Sequence, residues 1–467
     1  MTSVDRYLLV RAASLYVALI ITVMVWAWRR PSRPVINGAV LAFFWNVPAV
    51  LLLHLGAARF GWWHFDARGG LLLGMPVDLY LSWAWLWGAI PALAFPSIPL
   101  VVVLLAALAL DLVLMPLGAP LVRLGPAWLV GEVVGLVGVL VPAQLLARWT
   151  LGDTHLRERA LLQMLAFSGL MLFVIPAIAI EQSAGSWTNP LTTPAWQLSL
   201  VVQVLTIPAV LGLTAVQEFV TRGGGTPVPF DPPRRFVTTG IYAYVRNPMQ
   251  LSAVLLLFLL GLVLRNAWVS SAGVMAHVYS AGLAGWDEDQ DLQQRFGSHW
   301  TEYRRSVRRW VPRLRPWFRP DHAPAHLFIA ERCTMCSEVR RWFECRGVRH
   351  LTIVAAETHP SNRLRRITYE PGDGSSAAAG VEAIARALEH IHFGWAFVGF
   401  LLRLPVIGEL SQLLADASGA GPRTASVVPP GSRENAHHLQ IDRSDFIKLA
   451  EERFDALEHE RARVTTP

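Results

Sequence analysis

The chain is poor in charge. Asp, Glu, Lys and Arg make up 16% of its 467 residues, where soluble domains carry about 25%. With 53% hydrophobic residues and a mean hydropathy of +0.38, that shortage excludes an ordinary soluble protein. Cysteine is scarcer still. Cys333, Cys336 and Cys345 all lie in the polar C-terminal part, which argues against a secreted disulfide framework. A cleavable leader is not expected either. The first apolar block, residues 7–28, is longer than a signal-peptide core and no small-residue cleavage site follows it, so it reads as a retained helix.

What the chain does have is long apolar blocks. They do not alternate as barrel strands do, so they point to helices. Nine stretches approach the ~20 residues needed to cross a bilayer: near 7–28, 36–55, 77–95, 98–117, 127–147, 160–180, 197–219, 249–264 and 267–284. The 19 tryptophans suit interfacial belts. The expected fold class is therefore mostly α: a polytopic helical membrane protein with about nine transmembrane helices.

The net charge of +7 does not signal a nucleic-acid partner, because the basic residues flank apolar helices. "WRRPSRP" (28–34) and "PPRRF" (232–236) are examples. The Arg-rich loops 147–160 and 221–236 fall on the same side as 28–34, whereas loop 181–196 has no basic residue. That pattern predicts an inner-membrane protein with its N-terminus outside and its C-terminal region in the cytoplasm. Loop 56–70, with Arg59 and Arg68, is the exception, partly offset by Asp66. Trp62, Trp63, His64 and Asp66 in that loop read as an aromatic belt rather than a site. Asp111 and Glu132 lie inside apolar spans, as functional carboxyls or as groups snorkelling from span ends.

The chemistry concentrates between residues 223 and 316. A Gly/Pro-rich loop leads into "TTGIYAYVRNPMQ" (238–250). A helical hairpin should follow, turning at Arg265–Asn266, and deliver "DEDQDLQQRFGSHWTEYRRSVRRWVPR" (287–313) to the same membrane level. Arg246 and Asn247 would then return beside Glu288 and Asp289. An arginine near two carboxylates can hold a zwitterionic ligand by both ends. Tyr242, Tyr244 and Phe296 would offer aromatic faces to a purine or a sulfonium. The plainer reading is a topogenic arginine and an interfacial ion pair.

These segments, over about 225–316, resemble the isoprenylcysteine carboxyl methyltransferase family and its phospholipid-methyltransferase relatives. The resemblance implies an integral membrane enzyme that uses S-adenosylmethionine and methylates a lipid or prenyl-type substrate arriving from the bilayer. It implies catalytic roles for Arg246 and Glu288. It implies cofactor binding by Gly240, Tyr242, Tyr244, Val245, Asn247, Pro248 and Asp289, with Phe296, Gly297, Trp300 and Tyr303 in the second motif. Gln250 stands where such proteins often have Tyr, Trp300 replaces a common Tyr, and Asp289 is one methylene shorter than the usual Glu. No metal is expected.

Residues 317–325 read as a Pro-rich linker. From 326 the pattern is strand, C-x-x-C, helix, strand, strand, helix, which suggests a small α/β thioredoxin-like domain. A helix start at Cys333 would favour its thiolate. The region to 423 resembles the DCC family of predicted thiol-disulfide oxidoreductases, although Ile329, Ala330 and Glu331 stand where that family has Tyr-Asp-Gly. The resemblance makes Cys333 and Cys336 a redox pair with a possible thiol partner. A zinc half-site with Cys345 and a histidine, and buried bystander cysteines, are the alternatives. Membrane-anchored thiol–disulfide exchange is thus the competing function, and a non-catalytic lipid-binding or transport module a third. The expected organisation is 1–220, a helical region of no assigned role; 221–316, the methyltransferase-like core; the linker; 326–423; and a polar tail, 424–467.

Overall fold

The computed structural model describes residues 3–422 apart from 120, 184, 229–230, 332 and 362–363, so the tail expected at 424–467 lies outside the described residues. The apolar blocks are helical, because a backbone in hydrocarbon must satisfy its own polar groups. In chain order come α1 (Ser3–Arg29), α2 (Arg33–Phe60), three short strands β1 (Trp63–Phe65), β2 (Leu71–Leu72) and β3 (Met75–Pro76), and α3 (77–94). Then follow α4 (Leu100–Leu117), β4 (Val122–Leu124), α5 (Trp128–Gly152), α6 (Leu156–Glu181) and α7 (Ala195–Gly223).

Among the described residues, six helices are long and apolar enough to cross a membrane: α1, α2, α4, α5, α6 and α7. The sequence suggested nine. The third stretch, α3, contains Asp78, Trp83, Trp85 and Trp87, which lower its apolar character. The last two are the helices α8 (Pro248–Val263, 16 residues) and α9 (Ala267–Tyr279, 13 residues). At ~1.5 Å per residue α8 reaches about 24 Å, short of the ~30 Å hydrocarbon core.

Three of the long helices widen for one π turn just before a proline. Trp85–Ala89 precedes Pro91, Leu136–Leu140 precedes Pro142, and Leu170–Val174 precedes Pro176. Proline has no N–H to donate and its ring crowds the carbonyl four residues back; a wider turn relieves both effects.

In the loop after α2, Trp63 does not take part in an interfacial aromatic belt. β1 pairs antiparallel with β4, Trp63 against Leu124, and the Trp63 side chain is fully buried. Its ring lies 5.7 Å from that of Trp83, which lies 5.2 Å from Trp87. Trp63 is therefore a core residue of the N-terminal bundle, a correction to the belt reading.

The hairpin forms as the sequence suggested. Asn266 caps α9 by accepting from the N–H groups of Trp268 (3.0 Å) and Val269 (3.2 Å), and donates to Ser183 Oγ (2.8 Å). α10 (Gly285–Ser306) breaks at Gly297, whose φ of 52° and ψ of −121° disfavour any residue with a Cβ. The chain then runs back along the 243–247 segment. Arg246 N–H donates to Arg308 O (2.9 Å), Asn247 N–H to Arg309 O (3.3 Å), Arg313 N–H to Tyr244 O (2.9 Å) and Trp317 N–H to Ala243 O (2.9 Å).

The C-terminal part builds a four-stranded sheet from β5 (Ala325–Ile329), β6 (Leu351–Ala355), β7 (Thr368–Glu370) and β8 (Ala378–Ala379), ordered β6-β5-β7-β8. β5 and β6 are parallel and joined through α11 (Thr334–Glu344); β7 and β8 are antiparallel additions. α12 (Val381–Leu388), α13 (Phe393–Leu402) and α14 (Ile407–Ala415) follow. α13 buries Ala396 and Phe400 against Val210, Leu211 and Ala215 of α7, so this region is fixed to the membrane helices rather than tethered by a linker alone.

Charge reinforces that attachment. Glu218 of α7 is fully buried and accepts from Arg386 Nη1 (2.9 Å) and Arg403 Nη2 (2.6 Å). Arg403 Nη1 also donates to Glu389 (2.6 Å), and Gln217 donates to the Arg403 carbonyl (3.1 Å).

His390 gives this region a pH signature. Its ring is buried, hydrogen-bonds Tyr369 Oη (2.9 Å) and the Arg349 carbonyl (2.8 Å), and stacks on Phe318. Burial pushes its pKa down from 6.5 to about 4, opposed by the Arg349 hydrogen bond. The folded state then holds fewer protons than the unfolded state between those values. Stability is complete above about pH 6.5 and falls as pH drops toward 4, by up to about 3 kcal/mol. Denaturation at pH 7.5 and 4.5 is expected to show that loss in the wild type and a smaller loss in His390→Gln. Equal pH slopes in the two would refute the assignment.

Candidate functional site

The return of 307–317 along 243–247 places the two halves of the sequence motif side by side. Tyr303 Oη donates to the Tyr242 carbonyl at 2.8 Å, which locks α10 to the segment ahead of α8. Phe236, Phe296, Trp300, Tyr303 and Trp317 form one aromatic cluster, with Phe236 and Phe296 stacked at 4.9 Å.

Arg246 sits at the edge of that cluster. Its guanidinium carbon lies 5.2 Å from the Trp300 ring centroid, a cation–π distance. Its Nε and Nη1 are buried and have no hydrogen-bond partner. Burial lowers its pKa from the ordinary arginine value, and Asp289 is the charge that opposes this most. Yet Asp289 is engaged elsewhere, with Arg309 at 2.6 Å and Arg304 at 3.7 Å. The expected Arg–carboxylate constellation is therefore assembled but not closed into an ion pair.

Glu288 faces the same group. Much of its surface is exposed, which limits any shift, but protein crowding and the Asp289 charge lift its pKa above the usual glutamate value. Arg309, Arg246 and a Gln250 hydrogen bond oppose that rise. Asn247 donates to Gln250 Oε1 at 3.0 Å. Gln250 thus anchors the Asn247 side chain beside Arg246, a role its position in the sequence did not reveal.

The remaining sequence-selected residues divide. Tyr242 and Val245 are buried in the packing around α7, and Pro248 opens α8. Tyr244 is fully buried, its ring 5.4 Å from Phe393, and donates to the Glu389 carbonyl at 2.7 Å. It presents no face to a ligand beside Arg246, contrary to the expected aromatic role. Gly240 turns the chain with a φ of 61°; a Cβ there would meet Glu218 Cδ at 2.9 Å. It lines a cavity of about 60 Å³ between the membrane helices and the C-terminal sheet, with Arg222, Asp373, Arg386 and His350.

Two other groups singled out in the sequence take defined positions. Asp111 and Glu132 do not snorkel to a surface: both are buried, and Asp111 accepts from Trp87 Nε1 at 3.0 Å. Cys333 stands at the start of α11, where its sulfur accepts from Cys336 N–H at 3.4 Å. Among the described residues no group of three or more His, Cys, Asp or Glu side chains is placed to hold a metal.

The fold is that of a helical membrane protein carrying a mixed α/β region. No protein-family model, curated protein or solved structure matches the chain.

Proposed function

We propose that the protein transfers a methyl group from S-adenosylmethionine to a lipophilic acceptor at the membrane face where α8 and α10 meet. Arg246 carries the reading: two buried, unpartnered guanidinium N–H groups beside an aromatic ring, facing a carboxylate that is not bonded to them. A buried donor without a partner costs about 1–3 kcal/mol, so such a group is best explained by a ligand that completes it. The resemblance to isoprenylcysteine carboxyl methyltransferases and phospholipid methyltransferases supports the same site, because its two motif halves meet here.

The residues present suit the cofactor. Arg246 offers a planar donor fork to a carboxylate, and Glu288 an acceptor to an ammonium group. Phe236, Phe296 and Trp300 supply faces for a purine or a cation. The cofactor supplies an activated methyl group, so the chain needs no covalent nucleophile. Its task is to orient acceptor and cofactor and to keep water out. The Arg-rich loop 221–236 beside this site supports a cytoplasmic position for it, with a lipid or prenyl-type acceptor entering sideways from the bilayer.

The test is transfer of labelled methyl from S-adenosylmethionine into a total lipid extract by purified protein. Wild type is expected to label a lipid fraction and Glu288→Ala to lose most of that signal. No transfer by the wild type, or equal transfer by both, overturns the proposal.

A second reading is favoured by Cys333. Its sulfur at a helix start, and the β6-β5-β7-β8 order with a parallel β5–β6 pair, support a DCC-like, thioredoxin-like domain in thiol–disulfide exchange. A mixed disulfide trapped at Cys333 in a Cys336→Ser variant is the expected result. Failure of the thiols to oxidise under diamide rejects it.

A further inference from the structure

The C-terminal region ends in two apolar helices that meet at a right angle. α13 and the segment from Ile407 to Ala420 are bent by 90° between Leu402 and Ile407, and together they have the length and apolar character of a broken or re-entrant span. α13 is buried. α14 is not: it has no buried residue. Val406 is 63% exposed, Leu410 54%, Leu413 64% and Leu414 69%. Leu410, Leu413 and Leu414 share one helical face, and Val406 immediately precedes the helix. The opposite face is polar and anchored. Gln412 Oε1 accepts from Val381 N–H at 2.8 Å, and Asp416 pairs with Arg366.

The place of this face in the fold identifies what covers it. α13 packs on the last turns of α7, and Arg403, at its end, is fixed to Glu218. α7 is long and apolar enough to span the membrane. α14 therefore begins beside the end of a helix able to span the membrane. We propose that α14 is an interfacial membrane helix: its Leu410/Leu413/Leu414 face rests in the headgroup–acyl boundary of the bilayer. The C-terminal region is then held to the membrane twice, by the buried charges on α7 and by lipid under α14. This does not depend on the methyl-transfer reading.

The experiment uses the wild-type full-length protein in phosphatidylcholine vesicles containing a diazirine-bearing phosphatidylcholine. After photolysis, adducts are mapped by peptide mass spectrometry. Leu200 and Val202 on the exposed flank of α7 serve as internal controls, being 55% and 56% exposed. Adducts on 406–414 within about threefold of those controls are expected, since interfacial helices lie only ~5–10 Å into the boundary. Labelled controls with bare 406–414 would overturn the proposal. A second measurement guards against poor probe depth. Bimane on Leu413→Cys and Glu409→Cys, in a chain whose native cysteines are serine, reports burial directly. Quenching by nitroxide lipid at 413 and by aqueous iodide at 409 is expected. Iodide quenching at both positions contradicts lipid contact, and protection of 413 from both quenchers assigns the face to protein, such as a second copy, instead.

Discussion

Replacing Glu218 by Gln is expected to destabilise the attachment of the C-terminal region by about 3–5 kcal/mol, the scale for removing one partner of a buried ion pair. Glu218 pairs with both Arg386 (2.9 Å) and Arg403 (2.6 Å), and both arginine side chains are nearly fully buried. An uncharged amide leaves two guanidinium groups close together in a dry setting with only Glu389 to offset them. Thr239→Val is the graded comparison. It removes one hydrogen bond to Glu218 (2.6 Å) and leaves the charges intact, so its effect should be about 1 kcal/mol. Hydrogen exchange across α12 and α13 in detergent-solubilised protein measures both. Unchanged exchange in Glu218→Gln would mean that apolar packing alone fixes the two parts.

The second large effect concerns Arg246 and has two sides. Two charge-assisted hydrogen bonds to a ligand carboxylate, at about 1.5–3 kcal/mol each, correspond to roughly 10²- to 10⁴-fold in affinity. Arg246→Ala is expected to lose S-adenosylmethionine binding by that factor. Arg246→Lys should recover part of it, because lysine keeps the charge but not the planar fork. Stability should behave in the opposite way. Nε and Nη1 have no partner in the ligand-free chain, so Arg246→Met should unfold no more easily than wild type, and its melting temperature in detergent should be equal or higher. A large loss of stability in Arg246→Met would mark the arginine as structural. That would leave the resemblance without its anchor.

Much of this arrangement is local, and was legible for that reason. Apolar blocks read as helices because the bilayer permits little else. The turn at Arg265–Asn266 was legible because Asn caps a helix start with its own side chain. The pairing of 243–247 with 308–317 followed from the hairpin returning both segments to one level. Strand, C-x-x-C and helix in sequence are likewise neighbours in space.

What escaped the sequence is long-range. Glu218 ends an apolar span and looks like any interfacial acid, while its partners lie in α12 and beyond α13. The available signal was a charge inside an apolar run: Arg386 within "AIARAL" and Arg403 within "LLRLPV". Trp63 and Tyr244 were assigned to surfaces because aromatic residues suit interfaces and ligands. The structure spends both on packing. Helix count was overstated because hydropathy alone does not separate an 18-residue window rich in Trp, or hairpin helices of 16 and 13 residues, from full spans.

Equilibrium binding of labelled S-adenosylmethionine to the purified full-length protein in detergent tests the central claim most directly. Saturable binding to wild type, and its loss in Arg246→Ala with the melting temperature retained, is the predicted result. No binding to the wild type, or equal binding to both proteins, would contradict the account.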